Sequence, residues 1–322
     1  MTVPAQTVLT FDVIGNREDL ADKIYDISPM DTPFLTEASK NSAKAVYHEW
    51  QTDSLDAAAD NRQLEGDDAT ANTLSPSTRV GNYCQISRKV VSVSGTQRKV
   101  DSAGRADEYS YQIAKRGREL KRDMERALTQ NQASSAGGSG TARSLGSLES
   151  WLSTNYVSEG TGTAQTVPGF SSGTVAAPTD STIAGTFEKA SLDTAIQNCW
   201  TQGGDPKIIM VGPHNRTQVS GFTGISTLQT DANATGDVTL MGAIDFYKSN
   251  FGTLKVVPNR FQRDETAFVL DMEYLGVSTL RDMEITPLAK TGDSDRALLL
   301  SEFTLEVKNE AASAQVRDLT TS

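Results

Sequence analysis

Residues 49–81 read EWQTDSLDAAADNRQLEGDDATANTLSPSTRVG, a long polar span with far more acidic than basic side chains. Sequence typical of β-strands flanks it: residues 44–53 alternate polar and apolar side chains, and residues 83–100 are rich in β-branched ones. An isolated two-stranded hairpin is only marginally stable in water. We therefore expect residues 44–100 to form an extended β-hairpin that cannot bury itself against its own domain and lies on a neighbouring copy.

The tip of this hairpin is acidic. Against a single Arg62, it carries Asp53, Asp56, Asp60, Glu65, Asp67 and Asp68. Clustered carboxylates can bind calcium, but the D-x-[DN]-x-[DN]-G spacing of a calcium loop is absent. The pattern favours a solvated or subunit-facing charge patch over a metal site.

Residues 105–133 have the apolar spacing of a long amphipathic helix, which would measure roughly 40 Å. Asp101, Ser102 or Asp107 could supply its N-cap. Basic residues lie among acidic ones, which favours a solvated face of ion pairs over a binding surface. If the helix does contact another subunit, it offers a partner for the acidic tip. The suspected interface residues here are Lys115, Arg118, Arg122 and Arg126, with Trp50 added from the first hairpin strand.

The rest of the chain indicates an α+β fold. Residues 131–186 hold nine glycines and four charged residues, and we expect this excursion to lie over the surface or to meet a neighbour. A helix is predicted at 186–202, a buried strand at 207–211 and a second helix opening at Pro213. Further strands are predicted at 254–257, 267–271, 284–285 and 297–308, the last half-buried.

The charge and residue composition exclude several classes of function. The 322 residues carry a formal net charge of −11, which disfavours a free-standing DNA-binding or membrane-surface role. We find neither a secretory signal pattern nor an apolar run long enough for a membrane helix, and we expect a cytoplasmic protein. Cys84 and Cys199 lie far apart in sequence and are expected to act as small semi-buried hydrophobes.

Catalytic motifs are missing. The two histidines are His48 and His214. His48 and Glu49 are adjacent in a strand, so their side chains point to opposite faces and cannot pair. No close Cys or His pairs suggest zinc, and no complete phosphate-binding glycine motif occurs. We predict a non-enzyme without cofactor or metal.

Three stretches and the order of the segments resemble one known family. The stretches are SPMDTPF at 28–34, EWQTDSL at 49–55 and FGTLKVVPNR at 251–260. Together with the hairpin, long helix, glycine-rich excursion, α/β unit and closing strands, they resemble the major capsid proteins of tailed bacteriophages, whose fold herpesviruses share. The resemblance runs over essentially the whole chain, and is to a compact branch without an obvious cleavable scaffold segment.

The resemblance implies a structural protein of the virion, assembled in the host cytoplasm. Hexamers and pentamers of it would tile an icosahedral head that stores double-stranded DNA without binding it specifically. It implies an N-terminal arm (1–43), an extended loop (44–100) reaching across a neighbour's peripheral domain, a peripheral domain with the spine helix (101–186), an axial domain (187–250) and strands returning to the peripheral domain (251–322). Portal, scaffolding and decoration proteins are implied partners.

Other functions stay open on sequence alone. A cellular nanocompartment shell shares the fold but would need a pocket for a cargo peptide. A hydrolase would need His214 as its base. A tail or baseplate protein would form rings or tubes instead of closed shells.

Overall fold

The computed structural model describes residues 31–55, 58–66, 68, 76–100, 107–163, 165–222 and 245–321. The start of the SPMDTPF stretch lies outside these residues. The helices are α1 (Pro33–Glu37), α2 (Gly95–Lys99), α3 (Glu108–Thr129), α4 (Leu148–Trp151), α5 (Lys189–Thr201) and α6 (Pro213–Ser220). The strands are β1 (Ser39–Ser42), β2 (Tyr47–Thr52), β3 (Thr78–Tyr83), β4 (Gln85–Ser94), β5 (Tyr156–Ser158), β6 (Gly169–Ser171), β7 (Thr174–Ala176), β8 (Ile208–Val211), β9 (Phe246–Lys248), β10 (Thr253–Pro258), β11 (Ala267–Leu270), β12 (Leu275–Leu288), β13 (Ser294–Val307) and β14 (Ala314–Arg317).

Two large sheets and two hairpins organise these strands. One sheet has the order β1-β12-β13-β4, and the other has the order β5-β14-β11-β8-β10-β9. The pairs β2-β3 and β6-β7 stand apart from both sheets. Mixed strand directions with helices packed beside the sheets give the α+β class that the sequence predicts.

The four-stranded sheet is built around β12 and β13, which are each 14 residues long. Both strands extend further than the sequence predicts. The odd-numbered side chains of β13, such as Leu299, pack with Val91 of β4 and Leu120 of α3. The expectation of a half-buried strand at 297–308 is wrong for its second half, because residues 301–307 are buried on both faces.

Helix α3 lies within the predicted span and is about 33 Å long at 1.5 Å per residue. The Asp107 side chain caps it, accepting hydrogen bonds from the backbone N–H groups of Tyr109 (3.2 Å) and Ser110 (3.3 Å). The helix ends at Thr129, before the predicted end at residue 133. Its buried stripe includes Leu120, Met124 and Leu128, so the predicted amphipathic spacing is confirmed.

Glu125 of α3 joins three distant parts of the chain. It is fully buried, and its two carboxylate oxygens accept hydrogen bonds from the backbone N–H groups of Phe34 (2.8 Å) and Leu35 (2.9 Å) at the start of α1. The Asn259 side chain donates a third bond of 2.7 Å. Burial raises the pKa of Glu125, and these hydrogen bonds oppose the rise. The described end of the predicted arm is thus part of the core, since Phe34 is also fully buried.

The glycine-rich excursion lies over the surface only in part, because residues 145–152 are buried. Leu145, Leu148, Trp151 and Leu152 are buried in the same apolar cluster as Phe303 of β13. The expectation is wrong for this part because a few apolar residues are enough to occupy a core position. Some of the glycines allow neighbouring chain segments to approach closely. A Cβ on Gly146, for example, would lie 2.8 Å from that of Val175.

The second core lies between α5 and the six-stranded sheet. Leu192 and Ile196 of α5 pack against Ile209 of β8 and Val269 of β11. The predicted helix-strand-helix order at 186–220 is confirmed, with Pro213 as the first residue of α6. However, β10, β11 and β14 join β8 in one sheet, so the strands after residue 250 do not all leave this unit.

Glu125→Ala should lower the free energy of unfolding by about 2–4 kcal/mol, because the N–H groups of Phe34 and Leu35 and the Asn259 amide would lose their acceptor in a buried site. Urea denaturation of the unassembled subunit measures this. Glu119→Ala is the matched control, because Glu119 forms a partly exposed ion pair with Arg116 on the same helix, and should cost less than about 1 kcal/mol. Equal losses in the two variants would contradict the proposed role of Glu125.

Candidate subunit interface

The predicted hairpin exists, but its second strand is β3 and not the predicted run at 83–100. Strands β2 and β3 pair from Tyr47 opposite Tyr83 to Thr52 opposite Thr78. The run after Cys84 instead forms β4, which pairs with β13 in the large sheet. Val91 and Val93 of β4 therefore serve the core, and residues 78–83, which are mostly polar, close the hairpin.

The base of the hairpin is buried against its own chain. The indole N–H of Trp50 donates a 2.8 Å hydrogen bond to the Val307 carbonyl oxygen, and the Trp50 ring lies 5.4 Å from that of Trp151. Asn82 is fully buried and bonds the Leu305 carbonyl oxygen (3.0 Å) and both backbone groups of Gly146. The expectation that the hairpin cannot bury itself is wrong for this part.

A polar network underlies the base. One carboxylate oxygen of Glu306 accepts hydrogen bonds from Ser278 (2.6 Å) and Asn41 (2.9 Å), and the His48 Nε2 lies 3.3 Å from it. Burial opposes ionisation of Glu306, but these neighbours hold its pKa below the usual value. The partner of His48 is therefore Glu306 on β13, and Glu49 pairs instead with Arg79 across the hairpin.

Beyond Thr52 the hairpin is exposed. Leu55 and Leu64 are 99% and 81% exposed, the largest values for apolar side chains of the described residues. The acidic residues Asp53, Asp60, Glu65 and Asp68 are exposed as well, and Asp60 pairs with Arg62 two residues away. Asp56 and Asp67 lie outside the described residues. A single subunit thus presents apolar and acidic side chains on a hairpin whose base is fixed.

The basic residues singled out on α3 follow one row at spacings of three and four. Lys115, Arg118 and Arg126 are exposed, and the guanidinium of the half-buried Arg122 lies 5.1 Å from the ring centre of Phe261. Other charges on the helix form the predicted ion pairs, such as Arg116 with Glu119 and Lys89 of β4 with Asp123. The helix therefore combines a row of basic residues with flanking ion pairs.

Among the described residues, we find neither a metal site nor a thiol with a lowered pKa. They contain no group of three or more His, Cys, Asp or Glu side chains arranged to hold a metal ion. Burial raises the pKa of Cys84 to about 11 and that of Cys199 to about 12, so both thiols are unreactive. His214 contacts the side chain of Gln218, which cannot act as a charged partner. Within the described ranges, no helix is both long enough and apolar enough to span a bilayer.

Solved structures with the same fold include a capsid, a protein from a phage and an encapsulin. The capsid of a native GTA particle superposes with a TM-score of 0.64 at 10% identity, covering 97% of this chain and 98% of that one. A protein of Mycobacterium phage Adephagia gives 0.62 at 11% identity, with 98% and 99% covered. The holo-SrpI encapsulin of Synechococcus elongatus gives 0.54 at 12% identity, with 96% and 94% covered. The chain therefore has the same fold as these capsid and encapsulin structures.

The family model described as SU10 major capsid protein matches residues 4–320, and the chain belongs to that family. Among curated proteins, the major capsid protein of Escherichia phage Phieco32 is 37% identical over 126 residues, which is 39% of this chain. The match spans 36% of that relative's length. The family is one of structural capsid proteins, so the predicted resemblance and the prediction of a non-enzyme are confirmed, and the hydrolase alternative falls.

Sequence reasoning missed Asn82 and Glu306, which fix the hairpin base. The partners described above lie 28 to 265 residues away along the chain, and no local pattern marks such contacts. Trp50 was singled out as an interface residue, and the structure places it in a contact within its own chain. Polar and apolar residues alternate along β13, and this pattern predicts a strand with one solvated face and not the buried Glu306.

Glu306→Gln should lower the free energy of unfolding at pH 7 by about 1–2 kcal/mol, because the charged acceptor for Ser278, Asn41 and His48 is lost. Since the pKa of Glu306 is lowered in the folded state, its contribution is present above pH 4.5 and disappears as the pH falls below that value. Urea denaturation of both proteins at pH 7 and in mild acid measures the difference. Glu284→Gln, at an exposed position on β12, is the control, and a difference that stays constant as the pH falls well below 4.5 would contradict the assignment.

Proposed function

We propose that copies of this chain form hexamers and pentamers that close into the icosahedral head of a tailed phage around double-stranded DNA. The observation that carries the proposal is the hairpin, since its base is fixed by Trp50, Asn82 and Glu306 while Leu55 and Leu64 stay exposed. A fixed base with an exposed apolar end suits a contact with a neighbouring subunit. Heterologous contacts of this kind can close into rings.

The acidic composition supports weak, non-specific handling of the genome. A formal charge of −11 disfavours tight binding to phosphate, which would hinder packaging and release. Further proposed partners are a portal protein and, where the phage has them, scaffolding and decoration proteins. Assembly in the host cytoplasm belongs to the same proposal.

The family's domain plan is proposed for this chain with the boundaries given above. Residues 1–43 would be the N-terminal arm, 44–100 the extended loop together with β4 of the large sheet, 101–186 the peripheral domain, 187–250 the axial domain and 251–322 the closing strands, of which β12 and β13 return to the large sheet. The long sheet with α3 fits a peripheral domain, and α5, β8 and α6 fit an axial one. The row Lys115, Arg118, Arg122 and Arg126 is proposed as a second surface for contact with another copy.

A nanocompartment shell is the competing function, and the encapsulin superposition shows that fold alone does not separate the two. The match of the capsid family over residues 4–320 favours the phage head. Electron microscopy of the purified protein tests assembly. Closed shells are expected, whereas tubes, rings or dispersed subunits would contradict the proposal.

Deleting residues 56–77 should leave a folded subunit that no longer forms closed particles. Thr52 and Thr78 pair directly in the hairpin, so the deletion leaves Asp53, Ser54 and Leu55 as a three-residue turn, a common hairpin length. Circular dichroism checks the fold, and sedimentation with electron microscopy checks assembly. A control that keeps residues 56–77 but carries Asn61→Ser should assemble normally, and normal particles from the deletion would contradict the role of the hairpin.

A further inference from the structure

A cluster of charged side chains links elements of the two apolar cores. Its members come from α4, from the excursion after it, from the loop before β11 and from the end of β14. We call them the junction cluster: Glu149, Asp180, Arg263, Glu265, Arg317 and Asp318. Leu148 and Trp151 of α4 pack in the cluster around Phe303, and Val316 of β14 packs in the second core. The junction cluster therefore ties one core to the other.

The junction cluster contains more acidic than basic side chains. Asp180 pairs with both Arg263 (2.8 Å) and Arg317 (2.7 Å), and Glu149 contacts the same two side chains at 3.1 and 3.6 Å. Each arginine has one further acidic partner close to it in sequence. Two cations thus face four carboxylates. Water screens charges poorly inside a protein, so a proton on one of these carboxylates would relieve their mutual repulsion.

Glu149 is the carboxylate that is least able to stay ionised. It is fully buried, whereas the side chains of Asp180 and Glu265 are 42% and 45% exposed and reach water. Asp318 is buried but accepts hydrogen bonds from a backbone N–H group (2.7 Å) and a serine hydroxyl (2.9 Å). Among the described residues, the Oε2 of Glu149 has no hydrogen-bond partner of ordinary geometry. The proton is therefore best placed on Glu149.

The electrostatic surroundings of Glu149 agree with this placement. Burial is the largest effect and, with a smaller contribution from the charge of Asp180, raises the pKa of Glu149 to about 7. Arg263, Arg317 and the hydroxyl of Thr266 act in the opposite direction. The ordinary pKa of a glutamate is 4.5. Between these values the folded subunit binds a proton that the unfolded chain does not.

We propose that the folded subunit takes up one proton on Glu149 near neutral pH, and that this proton strengthens the link between its two cores. The proton comes from water, and no other bond changes. Three carboxylates then remain for Arg263 and Arg317, and the Glu149 carbonyl oxygen keeps its 3.0 Å hydrogen bond from the Gln315 side chain. The junction cluster is thus a pH-dependent joint of the unassembled subunit, and as such goes beyond the proposed function.

The pH dependence of unfolding tests the proposal, with Glu149→Gln compared to the unmodified subunit. The stabilisation by the proton is fully present below pH 4.5 and is lost as the pH rises through about 7, whereas glutamine is neutral throughout. Relative to the variant, the unfolding equilibrium constant of the unmodified subunit should therefore rise by about tenfold or more from pH 5 to pH 8. Glu125 and Glu159, whose pKa values are also raised, titrate in both proteins, so their effects cancel. A ratio that stays constant or falls over this range would overturn the inference.

Infrared difference spectroscopy of the folded subunit gives a second readout that does not depend on the glutamine variant. A protonated carboxyl band should be lost between pH 6 and pH 8. In Asp180→Asn this loss should occur at lower pH, because the charge of Asp180 raises the pKa of Glu149. Glu119→Gln, in the partly exposed pair with Arg116, is the matched control and should leave the band unchanged.

Absence of a carboxyl band that titrates in this range, or the same midpoint in Asp180→Asn as in the unmodified subunit, would overturn the inference. The outcome is independent of the proposed function, because all measurements use the unassembled subunit. A protein that formed no closed shells would contradict the proposed function and leave this test unaffected.

Discussion

The carboxylate of Glu306 accepts hydrogen bonds from Asn41 and Ser278 and lies 3.3 Å from His48, which places β1, β2, β12 and β13 around one buried charge. A buried carboxylate is tolerated only where donors surround it. This contact holds the hairpin base on the second face of β13 while α3 covers the first. The direction in which the hairpin leaves the subunit therefore depends on it.

Two buried carboxylates, Glu306 and Glu125, each hold different parts of the subunit together. Glu306 fixes the hairpin, and Glu125 fixes α1 and the end of β10 to α3 through the N–H groups of Phe34 and Leu35 and the Asn259 amide. In both sites the donors are neutral groups or a histidine, so several well-placed hydrogen bonds, and not a simple ion pair, stabilise the buried carboxylate. Hydrogen bonds of this kind tie segments that are far apart in sequence, whereas the apolar clusters fill the space between them.

The elements with a strong local pattern could be predicted from the sequence. Helix α3 follows from its apolar spacing, α6 from Pro213, and the family from the order of segments together with three short stretches. What could not be predicted depends on contacts between distant residues. The second hairpin strand was misplaced because residues 85–94 have stronger strand character than 78–83, and pairing with β13 takes them into the large sheet.

The hairpin thus contributes both to the stability of one subunit and to the assembly of the shell. Its base stabilises the monomer. Its exposed end leaves apolar side chains in contact with water, and only assembly removes this exposed apolar surface. Hydroxyl-radical footprinting of the unassembled subunit and of the closed particle tests this most directly. Leu55 and Leu64 should lose reactivity on assembly, while Trp50 should be equally protected in both states. Unchanged reactivity of Leu55 and Leu64 in closed particles would contradict the role of the hairpin.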